Sequence, residues 1–518
     1  MAHLQTLKKA LISYVTNSAK AVWSAIAYPL SIFSSRSGKL KDYHIYGNTV
    51  QDGEPAPENP IPMQSVGDLT VNLFDKDNPN IIKGLVYSST LQIIYNDLCR
   101  LVWIEIEPNT TYTITKLPQS GICALSSVEP TVNGYVDVRY TYTDLGGTQG
   151  EYTVTSGENH KYLVVAIAPS SGGTYTEKEM IDSLQIQMGG TATEYEPYNK
   201  YRIGVIARGK NILKAPLDVS SWEKKLITSA NYSYNLGKIL PLNETVTLSF
   251  DYTTIPKYFY FLTDDESVAT VPYLDTSLNV KYLVIDKVEN LKLTFTPKEG
   301  KSYYLHSALS ANNTSKAVAQ AWLDKFTYIQ IEYGSEATEY EEYKEPKTFD
   351  IYLNEPLRKV PDAEDYIDFE KGVVVRSLKE RALTGNEDWY RQFFRVYCFV
   401  ENSSSDGNKM LCVSNRFAPT SWENLYQNSF LATKKIGIAQ QSGGVISITP
   451  SQDVPSAEDW KAQLKAWNDE ENPLTVIYYV KPTEEKIELP KLPQFKGTTV
   501  YEVDTTVKPS GMEICYYE

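Results

Sequence analysis

The residues best suited to chemistry in this sequence are aromatic. Asp388-Trp389-Tyr390-Arg391-Gln392 and Trp422-Glu423-Asn424 set indole and phenol rings beside a guanidinium, carboxylates and amides, with a polar loop at 402–408 between them. Sugar rings stack on exposed aromatic faces while their hydroxyls bond nearby polar groups, so Trp389, Tyr390, Arg391 and Trp422 are the candidate glycan contacts. The competing account is that Trp389 and Trp422 fill a sandwich core, where buried aromatics concentrate.

Other chemistries have less support. A glycosidase needs two carboxylates flanking a sugar, and Asp362, Glu364, Asp365, Asp368 and Glu370 could supply them. In a chain with 64 acidic residues such a group reads first as loop charge. Asp75-Lys76-Asp77-Asn78-Pro79-Asn80 has the oxygen-rich alternation that calcium accepts, yet it lacks the Gly and distal Glu of an EF-hand. An Asx turn is the simpler reading. The nucleophile elbow, the P-loop, HExxH and the dinucleotide fingerprint are absent. Only 4 His and 5 Cys occur, with no CxxC pair, which disfavours zinc, haem and iron–sulfur sites. The expectation is a non-enzyme with no catalytic, cofactor-binding or metal-ligating residue.

A chain of 518 residues with 42% hydrophobic and 12% aromatic positions can bury several cores. The net charge is −14, but residues 1–41 carry six basic and no acidic side chains, so the remainder is −14 − 6 = −20. An acidic body does not hold a nucleic-acid backbone by counterion release. Leu4, Leu7, Leu11, Val15, Val22 and Ile26 follow mostly three- and four-residue steps, which predicts an amphipathic helical anchor within residues 1–38. Its apolar run, 21–33, contains Pro29 and is too short to cross a bilayer. Residues 39–67 read as a short strand and a connector with four prolines between 51 and 62, expected to be extended and stiff.

From Asn72 onward short alternating runs such as Thr111–Thr115 and 245–252 are separated by Gly, Asn, Pro and Asp clusters, the pattern of β-sandwiches. The segment 185–198, QIQMGGTATEYEPY, matches 330–343, QIEYGSEATEYEEY, at nine of fourteen positions, an offset of 145 residues. A helical pattern precedes each copy, with Thr176 and Glu179 forming a capping box in the first and Val318, Trp322 and Phe326 sharing a face in the second. Ser456 and the face Trp460, Leu464 and Trp467 repeat the order before a strand at 474–480. Openings correspond too, Asn72 and Asn211 lying 139 residues apart. These signals predict a mainly β fold: an N-terminal helix followed by tandem β-sandwich modules at 68–205, 206–348 and a divergent one at 349–518.

The strings Tyr46-Gly-Asn-Thr-Val-Gln-Asp-Gly-Glu-Pro-Ala-Pro-Glu-Asn-Pro60, Gln64-Ser-Val-Gly-Asp68, Asn72-Leu-Phe-Asp75, both ATEYE module ends and KIELPKLPQFKGTT at 486–499 resemble tail and baseplate structural proteins of tailed bacteriophages infecting Gram-positive hosts. The resemblance implies a virion protein, assembled in the host cytoplasm, with jelly-roll modules similar to carbohydrate-binding modules and placed in a fibre, tail tip or host-adhesion device. It implies a homo-oligomer attached to other virion proteins, here through the N-terminal segment, and a host surface glycan as partner. The other reading is a virion-borne depolymerase of host wall polysaccharide.

Overall fold

The computed structural model describes residues 21–25, 32–35, 39–118, 120–168, 174–214, 223–226, 230–235, 240, 244–252, 258–263, 281–282, 292–301, 303–308, 315–392, 394–400, 412–420, 425, 436–441, 444–450, 456–493, 495 and 497–517. It is mainly β, and its central feature is a sandwich assembled from strands scattered along the whole sequence. One of its sheets runs in the order Ala21–Ala25, Met512–Tyr517, Lys39–Tyr46, Tyr366–Asp368, Val373–Leu383, Leu474–Lys486, Val413–Ser414. The other runs Ile32–Ser35, Thr498–Asp504, Tyr201–Gly209, Lys347–Leu353, with Asp68–Leu69 also on Tyr201–Gly209. Between them lie Tyr43, Ile45, Ile367, Val374 and Met512 from one side and Ile203, Val205, Ile351, Tyr501 and Val503 from the other. Alternate residues of each strand point inward, as the period of two requires.

Three modules are inserted into this frame. Residues 72–198 leave after Asp68–Leu69 and return in Tyr201–Gly209, and residues 211–345 leave there and return in Lys347–Leu353. The third insertion leaves from Val373–Leu383 and returns in Leu474–Lys486. The sequence boundaries expected at 205/206 and 348/349 therefore fall inside frame strands. The expected sandwich at 349–518 is divided between the frame and the third module. Sequence patterning misses this because a frame strand such as Tyr201–Gly209 has the same alternation as a strand closing its own module, and pairing partners hundreds of residues away leave no local mark.

The first two modules share one topology. In the first, Glu151–Thr155, Thr111–Thr115 and Gln185–Met188 form a three-stranded sheet facing Val138–Thr141, Ile122–Ser126, Tyr162–Ile167, Arg100–Glu105 and Asn80–Lys83. In the second, Lys292–Phe295, Val246–Tyr252 and Phe326–Tyr333 face Lys281–Tyr282, Tyr258–Thr263, Tyr303–Ala308, Ala230–Asn235 and Glu223–Leu226. Numbered within a module, with the separate two-stranded pair Leu85–Val86 and Ile93–Ile94 of the first left out, both orders read 6-3-8 and 5-4-7-2-1, the two-sheet path of a jelly roll with its first strand moved to the second sheet.

The repeated phrases have a structural cause. Asn72 Oδ1 accepts from Phe74 N at 3.0 Å and Ile186 N at 3.1 Å, while Gln185 Oε1 accepts from Glu196 N at 2.7 Å. In the second module Asn211 Oδ1 accepts from Leu213 N at 3.0 Å and Ile331 N at 3.3 Å, and Gln330 Oε1 from Glu341 N at 2.9 Å. Thr193 and Thr338 donate to Gln187 and Glu332 at equivalent places. Each network satisfies buried backbone groups where a module leaves and re-enters the frame, so both ends of the motif recur together.

The third module packs Trp389–Gln392, Arg395–Phe399, Val445–Thr449 and Gly437–Gln441 against the far halves of Val373–Leu383 and Leu474–Lys486. The helix Ala457–Asp469, capped by Ser456, buries Trp460 and Leu464 in this core. Glu177–Asp182 is capped by the expected Thr176–Glu179 box. The side chains of Val318 and Trp322 lie outside the described residues.

Three further expectations need correction. Within residues 1–38 the described parts are strands: Ala21–Ala25 pairs with Met512–Tyr517, Val22 opposite Tyr516, and Ile32–Ser35 pairs with Thr498–Asp504. Ladder pairing to a sheet edge overrides a helical spacing that has no buried face of its own. Leu4, Leu7, Leu11, Val15 and Ile26 lie outside the described residues. The proline-rich connector is a docked loop rather than an extended spacer, because Ala56 and Asn59 exchange backbone bonds and Gln51 Nε2 reaches both Ile61 O and Ser414 O. The stretch 486–499, whose letters read as C-terminal strands, forms no strand at 487–497 among its described residues; Ile487, Leu489, Leu492 and Phe495 pack on the frame core instead.

Candidate functional site

Strand alternation separates the aromatic residues singled out by sequence. Trp389 points inward and is 4% exposed; its ring lies edge-on to Trp460 at 5.6 Å, and its Nε1 donates to Glu387 Oε2 at 3.2 Å. Its face is closed to any solvent ligand, so Trp389 is withdrawn as a glycan contact and belongs to the core. Tyr390 points outward and is 47% exposed. Arg391 is exposed beside the turn that joins the hairpin strands. Trp422 and the loop 402–408 lie outside the described residues.

Around Tyr390 the hairpin assembles a surface that sequence reading did not name. Tyr390 opposes Tyr397 across the ladder and stacks on it at 5.5 Å, and Phe399 stands edge-on to both, at 6.2 and 6.1 Å. Phe399 is 58% exposed, and the Arg395 guanidinium lies over the Tyr397 ring at 5.8 Å. The signal was present in Arg395–Phe399, where Val396 and Cys398 alternate with Tyr397 and Phe399. Such a platform offers flat faces for stacking, while Arg391 shares the parity of Trp389 on the other face and Arg395 is 8% exposed.

Within the carboxylate group at 362–370, Asp365 is structural. The ladder between Val373–Leu383 and Leu474–Lys486 shifts register between Arg376 and Leu378, and Asp365 accepts the freed N–H groups of Ser377 at 2.8 Å and Leu378 at 3.0 Å. Arg376 stands 3.4 Å from the same carboxylate. Burial pushes the Asp365 carboxyl above its ordinary value against the downward pull of that guanidinium. Asp75 closes the Asx turn that sequence favoured, accepting from Asp77 N at 3.0 Å and Asn78 N at 3.2 Å. This turn forms one wall of a cleft of about 700 Å³ in the first module.

No family model matches the chain, and no curated protein matches it. Among solved structures, the N-terminal CBM22-1-CBM22-2 tandem domain from Paenibacillus barcinonensis Xyn10C is similar over 52% of this chain and 98% of that chain, at 11% identity and a TM-score of 0.15. That score carries no argument about what this chain binds.

Proposed function

We propose that the chain is a structural component of a phage virion, in tail, baseplate or fibre, that turns its third inserted sandwich toward a glycan of the host surface. The observation that carries the adhesion half is the aromatic group of exposed Tyr390 and Phe399 around half-buried Tyr397. The virion half rests on the resemblance of the strings at 46–75 and 486–499. The segment before Ala21 docks into a neighbouring virion protein, its basic charge suiting an acidic groove. Stacking on a shallow platform is weak for one copy, so a homo-oligomer gains its adhesion from several copies acting together. Three experiments test this. Antibody against the chain should label particles by electron microscopy, and deletion of residues 1–20 should leave the chain folded but absent from particles. Tyr390→Ala should reduce attachment of the purified oligomer to host cells; unchanged attachment overturns the adhesion role.

A second reading, depolymerisation of host wall polysaccharide, is favoured by one observation: Glu105 and Glu107 both line the first-module cleft. Incubation with purified wall polysaccharide separates the two, since only the enzyme releases new reducing ends.

A further inference from the structure

The cleft in the first module lies far along the sequence from Tyr390 and is built from different parts. Its floor comes from Arg100–Glu105, where Trp103 pairs with Asn80 of the edge strand and Glu105 pairs with Tyr162. Its other walls are the Asp75 turn and Tyr198, just before the chain re-enters the frame. Trp103 packs most of its indole in a core with Leu101 and Val164 and lines the cleft; its N–H has no acceptor among the described residues and is open to solvent. A donor served only by water at the wall of a cleft is open to replacement of that water by a ligand oxygen.

The neighbouring groups are equally uncommitted. Glu105, Glu107 and Lys161 make no side-chain hydrogen bond or ion pair among the described residues, whereas Asp75 is consumed by its own turn. We propose that this cleft binds a neutral saccharide, whose hydroxyls accept from the Trp103 N–H and donate to the Glu105 and Glu107 carboxylates while a ring face lies against Tyr198. A hydroxyl both donates and accepts, and the cleft offers free partners of both kinds beside aromatic surface. Its ionic lining is Asp75, Glu105 and Glu107 against Lys161, −3 + 1 = −2, on a chain of net charge −14. That field disfavours phosphate- or carboxylate-bearing wall polymers. The site is independent of the platform around Tyr390 and of any virion role.

The test uses the purified full chain on an array of neutral, amino-bearing and anionic oligosaccharides, followed by calorimetric titration of the best neutral ligand. Neutral members should bind, and Glu107→Gln and Tyr198→Ala should each weaken binding about tenfold with an unchanged melting temperature. Trp103→Phe should do the same; if that variant unfolds, the two exposed substitutions decide. Tyr390→Ala should leave this binding intact. Binding to no neutral member, tighter binding of anionic or amino-bearing members, or indifference to Glu107→Gln and Tyr198→Ala overturns the proposal.

Discussion

Adjacent side chains on one strand have opposite fates here. Trp389 fills a core position against Trp460, so Trp389→Ala should cost about 3–5 kcal/mol and appear as a large fall in melting temperature. Tyr390→Ala removes an outward ring and should cost no more than about 0.5 kcal/mol, measured by the same denaturation. Sequence supplied both aromatic types and the alternation, but not which parity faces the helix Ala457–Asp469; that depends on a packing partner some seventy residues away. Asp365 is the opposite kind of residue, legible as a charge and illegible as a structural acceptor. Asp365→Ala should destabilise the chain by about 3–5 kcal/mol, because Arg376 and two bulge N–H groups lose their acceptor together.

Elements meet the frame through polar joints, and one of them senses pH. Glu244, just before Val246–Tyr252, has a buried Oε1 with no hydrogen-bond partner among the described residues, and Glu502 of the frame repels its charge. Burial first and that repulsion second push the Glu244 carboxyl up to about 7. Glu502 itself is held by Arg208 at 2.5 Å. A folded pKa above the unfolded value of 4.5 means the neutral form favours the fold. This contribution is complete below pH 4.5 and is lost as pH rises through about 7. Melting temperature should therefore fall between pH 5 and pH 8, and Glu244→Gln should flatten that slope; an identical slope in the variant removes Glu244 as its source. The repeated elements themselves were readable, since Asn72 with Gln185 and Asn211 with Gln330 preserve their hydrogen-bonding roles in the letters of the sequence. The strand pairing of Ala21–Ala25 was not, because its partner, Met512–Tyr517, is at the other end of the sequence.

For the whole molecule, the division into frame and insertions replaces a row of independent beads. The first module closes both of its cores with residues between Phe74 and Ile186. A fragment of residues 70–198 should accordingly melt cooperatively by circular dichroism. Residues 349–518 should not, since the frame half of that segment lacks Tyr43, Ile45, Ile203 and Val205. A cooperative transition with full native strand content in 349–518 alone would restore the tandem arrangement. Mainly β composition and jelly-roll units follow from short alternating runs and turn residues; the frame escapes such reading because its strands are ordinary and only their partners are distant.

The position of Thr498–Asp504 between Ile32–Ser35 and Tyr201–Gly209 has a further consequence during synthesis. Strands made early wait for a partner made near the end, while the first module already holds everything its interior needs. On the ribosome the first module can therefore order before the frame, its exit and return already tied by Thr70 N to Lys200 O and Lys200 N to Thr70 Oγ1, whereas the second module's core still waits for Val500 of the late strand. Closure of that slot turns a string of pieces into one body, so its timing governs when the chain can first present a fixed arrangement to whatever it assembles with.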